Sequence, residues 1–206
     1  MHISEGVLSG PVLAAGWVLA AGGTWLGVKR LDHERIMTVA MLAAAFFVAS
    51  LIHFPVGPTS VHLVLSGLLG IVLGWAAFPA ILVGLLLQAV FFQFGGFTTL
   101  GITTFNLAAP AVLCHFVFRG MVLGGGKPRA VAAFLAGAVP IALSGLLVAA
   151  SLALTDEGFL ATAGTLFAVH LPVMGIEGVV TVFAVSFLAK VQPEILNLPQ
   201  QPTVGV

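Results

Sequence analysis

Residues 130–154, AVAAFLAGAVPIALSGLLVAASLAL, contain no Asp, Glu, Lys, Arg, His, Asn or Gln over their whole length. As an α-helix rising about 1.5 Å per residue, the stretch exceeds the roughly 30 Å thickness of a bilayer's hydrocarbon core. Lys127 and Arg129 stand before it, and Asp156 and Glu157 stand after it. An apolar rod with charges only at its ends is the pattern of a membrane-spanning helix. Working outward, long apolar runs recur at 7–28, 36–54, 61–77, 79–95, 100–119 and 160–189, the last carrying Glu177 within it. The sequence thus predicts an all-α, polytopic membrane helix bundle of about seven spans, with residues 1–206 forming a single transmembrane domain. Within 61–95 the Phe78–Pro79 step is the predicted break, leaving either two short spans or a re-entrant hairpin.

Composition agrees. Hydrophobic residues make up 60% of the chain and charged residues 7%, against roughly 45–50% and 25% in soluble domains. The formal net charge is zero, so the chain lacks the basic footprint of a nucleic-acid binder and needs a lipid bilayer around it. A single cysteine, Cys114, excludes an intramolecular disulfide and a thiolate zinc cluster. The opening MHISEG has no Lys or Arg, unlike the positive start of a secretory signal, and Met1 is read as the mature start. In GGGKPR, Lys127 is followed by Pro128 and not by Ser or Thr, so the phosphate-loop pattern is absent. ATP-driven work would need a partner.

The seven cations are Lys29, Arg30, Arg35, Arg119, Lys127, Arg129 and Lys190. One orientation places all of them in cytoplasmic loops, as the positive-inside rule requires. The N-terminus, the 54–60 loop and the 95–99 loop then face outside, and the C-terminus is cytoplasmic. Small-xxx-small spacings at Gly23/Gly27 and Gly70/Gly74 allow close helix approach.

Polar side chains inside spans are costly and mark ion pathways or bundle contacts. His2, His53 and His62 map to the outer side, with His53 expected to end the second helix and His62 to open the third. Met1-His2 adds a specific chemistry. A free N-terminal amine, the amide nitrogen of residue 2 and the His2 imidazole close two chelate rings and present three nitrogens in a plane. His62 is the candidate fourth donor, and all-nitrogen square-planar geometry suits Ni(II) or Cu(II). His170 and Glu177 lie two turns apart on one face of the last span, as a polar relay or, preferably, a hydrogen-bond hub with Gln88 and Asn106 as potential partners. His115 sits beside Arg119, where an interfacial role is expected.

Four stretches, MHISEGVLS at the start, FPVGPTSVHL at 54–63, LLLQAVFFQFGGFTTLG at 85–101 and HLPVMGIEGVVTVFAVSFLAKVQPE at 170–194, make the chain resemble the CbiM/NikM family. These are the substrate-specific membrane (S) components of cobalt and nickel energy-coupling factor transporters. The resemblance implies a metal site at Met1, His2 and His62, the last within GPTSVH in place of a GGTSGH-type loop. Pro58 and Val61 replace glycines of that pattern, and His53 stands where Asn is common. Lack of the SHPTGTG-like loop of cobalt-type members favours nickel slightly. The resemblance further implies Ni2+ or Co2+ as transported substrate, no prosthetic group, and no enzymatic activity in this chain. The implied partners are a transmembrane coupling (T) component, two cytoplasmic ATPase subunits and a small auxiliary membrane protein. The implied location is a bacterial or archaeal cytoplasmic membrane. A self-sufficient metal/proton antiporter or channel using Glu177 and His170 is the competing class. A membrane enzyme fits poorly, because no outer Asp or Glu accompanies the histidines in a catalytic pattern.

Overall fold

The computed structural model describes residues 3–56, 59–156, 160–196 and 198. The elements run α1 (Gly10–Lys29), α2 (Ile36–Ala49), β1 (His53–Val56), β2 (Thr59–His62), α3 (Ser66–Leu73), α4 (Ala77–Phe92), α5 (Leu100–Gly124), α6 (Gly126–Ala153) and α7 (Leu160–Val191). By length and composition alone, five stretches among the described residues could cross a membrane: 10–29, 66–92, 100–124, 126–153 and 170–191, the second of which is broken at Gly74. The fold is helical, with one small hairpin inserted.

The bundle is turned apolar side out. Phe183, Val18 and Met37 are 73%, 72% and 71% exposed, whereas Gln88, Glu177 and Thr181 are fully buried. In water that distribution would be ruinous, but against lipid tails the exposed apolar surface costs nothing and the polar groups are drawn inward. Close approach is made by small residues. A methyl group at Gly67 would overlap the Ala136 carbonyl, one at Gly70 the Ala111 carbonyl, and one at Gly23 the Phe78 ring. Both predicted glycine pairs are therefore at contacts. Gly67→Ala is expected to destabilise the chain by about 1–3 kcal/mol through overpacking. Gly22, which has nothing within 4 Å of a built Cβ, is expected to accept Ala with a change of at most about 1 kcal/mol. Thermal inactivation of the two variants in detergent checks the contrast.

Two expected boundaries need correction. His53 and His62 are not at helix ends: α2 stops at Ala49 and α3 starts at Ser66, with the antiparallel β1–β2 hairpin between them. Pro55 and Pro58 cannot continue a helix, and Val56, Thr59 and Val61 favour extended backbone. The break in 61–95 falls at Gly74 and not at Phe78–Pro79. Gly74 has φ +56°, open to glycine, while Pro79 sits in the first turn of α4, where its missing N–H is not needed.

The contacts show that the chain reverses at Gly74. Along α3, Gly70 meets Ala111 and the Ile71 carbonyl meets Arg119, so α3 descends beside α5. Beyond the reversal Trp75 meets Gly27, Phe78 meets Gly23, and Phe91 meets Phe47, so α4 climbs back. At eight residues, α3 is about 12 Å long, too short to cross. It is a buried half-helix whose two ends lie inside the protein.

Candidate functional site

A buried helix end leaves backbone groups without partners, and α3 solves this at both ends with charged side chains from distant elements. At its start, the Glu177 carboxylate accepts hydrogen bonds from the backbone N–H of Val64 and of Leu65, the latter at 3.0 and 3.1 Å to its two oxygens. Leu65 itself adopts φ +54°. At its end, Arg35 donates to the Val72 carbonyl at 2.7 Å and Arg119 to the Ile71 carbonyl at 2.8 Å. His115 Nδ1 donates to the Gly70 carbonyl at 2.8 Å. Acid at the N-terminus and base at the C-terminus match the helix macrodipole.

The segment tied down by Glu177 follows directly on His62. This histidine closes β2, is 5% exposed, and its Nδ1 lies 3.1 Å from the Leu63 carbonyl. A carbonyl can only accept, so the bond requires hydrogen on Nδ1 and puts the neutral ring's lone pair on Nε2. The hairpin pairs His53 with His62 in register; of His53 only the backbone is described. His170 is buried on α7.

The chain that carries Met1 and His2 is anchored at the same end of the bundle. Ile3 is 6% exposed and clusters with Leu8, Ile102 and Leu152. Thr99 Oγ1 donates to the Ile3 carbonyl at 3.0 Å, and the Thr98 N–H donates to Glu5 at 3.2 Å. Glu5 lies so close to Gly96 that a Cβ there would overlap it. Met1 and His2 fall outside the described residues. Among the described residues no three His, Cys, Asp or Glu side chains gather as a metal-ligand group.

The expected partners of Glu177 are placed elsewhere. Asn106 Nδ2 donates to Ser151 Oγ at 3.4 Å. Gln88 is fully buried with neither amide atom hydrogen-bonded among the described residues. Glu177 is a hub all the same, but for backbone, which pattern reading of side chains could not reveal. The N-terminal latch was also missed; its signals were Glu5 and the Thr98-Thr99 pair in the 85–101 stretch.

Residues 2–195 match the model of the family described as the cobalt uptake substrate-specific transmembrane region, CbiM. The chain belongs to the CbiM family. A Haemophilus influenzae relative, named for metal transport with no metal specified, is 43% identical over 203 residues, covering 96% of this CbiM-family chain and 97% of its own. The cobalt transport protein CbiM of Kyrpidia tusciae is 33% identical, with 98% and 90% covered. The fused nickel transport protein NikMN of Rhodobacter capsulatus is 32% identical, with 98% of this chain and 65% of that one covered. A crystal structure of a truncated transition metal transporter superposes with a TM-score of 0.74 at 27% identity, over 92% of this CbiM-family chain and 99% of the other. The chain is thus a multi-pass membrane protein of a metal transport family.

If His62 is a metal ligand, variants of Glu177 separate anchoring of its segment from coordination. Glu177→Gln keeps an oxygen that can accept from the backbone, and metal affinity is expected to stay within about tenfold of wild type. Glu177→Ala strands two buried N–H groups, costing about 1–3 kcal/mol each, and is expected to lose affinity about 10–100-fold as the His62 segment loosens. Equilibrium dialysis with 63Ni, alongside a thermal denaturation curve, measures both. Equal affinity in the Gln and Ala variants would show that the anchor has no bearing on the site.

Proposed function

We propose that this chain is the substrate-capturing S component of an energy-coupling factor importer for a divalent transition metal ion, nickel slightly favoured over cobalt. The ion is held at the hairpin end of the bundle by the Met1 amine, the His2 amide and imidazole nitrogens, and His62 Nε2. That end faces the outside of a bacterial or archaeal cytoplasmic membrane, the C-terminus is cytoplasmic, and about seven helical segments make up the membrane domain. Energy comes from separate partners: a T component, two ATPase subunits and a small auxiliary membrane protein.

The observation that carries this reading is the state of His62. Its Nδ1 is committed to a backbone carbonyl, its ring is buried, and the adjacent backbone is clamped by Glu177. A ligand fixed in tautomer and position is what a metal site needs and what an ordinary interfacial histidine lacks. The buried Ile3 supports the rest, since two more residues lead from it to the N-terminal amine. Amine, amide and imidazole must all give up protons to coordinate, so affinity is expected to fall as pH falls.

The competing antiporter reading requires Glu177 to pass protons. Its engagement with two backbone N–H groups favours an anchoring role instead. Uptake of 63Ni into liposomes tests the choice. The S-component reading expects no uptake by this chain alone under an imposed pH gradient, and ATP-dependent uptake once the partner subunits are added. Robust gradient-driven uptake by the chain alone would overturn it.

A further inference from the structure

At the end of the bundle opposite the hairpin, a cleft of about 290 Å3 opens between the end of α1, the turn before α2, the α3–α4 reversal and α5. Arg30, Arg35, Arg119 and His115 line it, and Asp32 is the one acid among its lining residues. Asp32 is occupied locally, accepting from the Glu34 N–H at 3.3 Å. Arg35 and Arg119 each spend one N–H on an α3 carbonyl, and Arg30 lies over the Trp75 ring at 5.3 Å. Among the described residues none of the three guanidinium groups is paired with a carboxylate. Each guanidinium carries five N–H donors in a fork suited to phosphate, so most of their donors remain for a ligand.

Like charges gathered in a partly enclosed cleft repel unless an anion joins them. We propose that this cleft binds the phosphate of an anionic phospholipid headgroup. Its volume lies just below the roughly 300–1,000 Å3 range of small-molecule sites, which suits a compact group. Its surroundings select a lipid over a soluble anion. Trp25, Val28, Met37 and Phe116, on the elements that frame the cleft, are 60%, 55%, 71% and 63% exposed, apolar surface along which acyl chains run. The Lys29 ammonium lies over the Trp25 ring at 4.9 Å, as at a membrane–water interface. Basic pockets between membrane helices are suited to acidic headgroups.

Native mass spectrometry of the full chain, exchanged into equal amounts of phosphatidylglycerol and phosphatidylcholine, is the test. Thermal-shift titrations with dihexanoyl-phosphatidylglycerol, dihexanoyl-phosphatidylcholine and inorganic phosphate accompany it. The expected result is one retained phosphatidylglycerol, with affinity falling about fivefold for each cation removed in Arg30→Gln and in Arg30→Gln/Arg35→Gln. Asp32→Asn keeps an acceptor for the Glu34 N–H but removes a negative charge, and should tighten binding by a similar factor. Asp32→Asn, like Arg30→Gln, tests the charge argument without cutting any cap of α3. Nickel affinity should be unchanged in Arg30→Gln, which shows that the fold is intact. Equal retention of the two lipids, or indifference to all three variants, overturns the proposal. Inorganic phosphate binding as tightly as phosphatidylglycerol assigns the cleft to a soluble anion and overturns it too. Loss of copurifying partner subunits in variants that bind phosphatidylglycerol normally assigns it to a protein carboxylate, with the same consequence.

Discussion

With one alanine inserted between Met1 and His2, the chain is expected to bind Ni(II) without needing His62, and to lose uptake in the reconstituted importer. The insertion preserves the imidazole, the charge and the hydropathy. It also interposes a second amide between the amine and the ring. A three-residue start then supplies four nitrogens by itself, one amine, two amides and one imidazole, and fills a square plane. His62 has no place left. The measurement is a double-mutant comparison: nickel affinity of the insertion variant with His62 present and with His62→Ala. Near-equal affinities support the account. If His62→Ala weakens the insertion variant as much as it weakens the wild type, the amine and residue-2 nitrogens are not the chelate, and a site built from His53, His62 and His170 takes precedence.

The second large effect is His62→Ala in the otherwise unaltered chain. Changing a group that merely orients a ligand costs about 10–100-fold in metal affinity, so deleting a ligand is expected to cost more than about 100-fold. The fold should survive. His62 lies on β2 before α3, and the contacts that hold α3 in place are made by Glu177, Arg35, Arg119 and His115, none of which it supplies. Isothermal titration with Ni(II), with circular dichroism and detergent gel filtration on the same sample, separates loss of binding from loss of structure. Wild-type affinity in a folded His62→Ala protein would remove this residue from the site.

The helical framework was legible because lipid imposes a simple rule: long apolar runs must be helices, and the interruptions mark their ends. Residues 100–124 and 126–153 show it well, joined through Gly125 alone. The rule fails where an apolar run is not one element. SGLLGIVLGWAAFPAILVGLLLQAVFF, residues 66–92, is apolar but for Ser66 and Gln88 and yet folds back at Gly74, because hydropathy carries no information about φ. Pro79 drew attention as the break and proved harmless in a first turn. The hairpin was hidden for a related reason: 50–65 is flanked by helices of the same hydropathy, and only its prolines and β-branched residues distinguish it.

The sequence nominates histidines for the candidate site and says nothing of their supports. His62 is nominated by donor chemistry and by GPTSVH. Its tautomer depends on a neighbour's carbonyl, and its backbone on a glutamate more than a hundred residues away. Backbone partners of that kind have no residue signature. The cations were placed by sequence in one set of loops, but the packing of Arg35, Arg119 and His115 onto three successive carbonyls of α3 required the fold.

The most direct measurement is a titration of the purified chain, with its amine free and with it acetylated, by Ni(II), Co(II) and Cu(II), followed by absorption spectroscopy. The account expects one equivalent of Ni(II) in the free-amine protein, low-spin and square-planar with nitrogen donors only, with acetylation abolishing both the bands and tight binding. A high-spin six-coordinate spectrum, or acetylated protein that binds as tightly as the free-amine form, would contradict the N-terminal chelate.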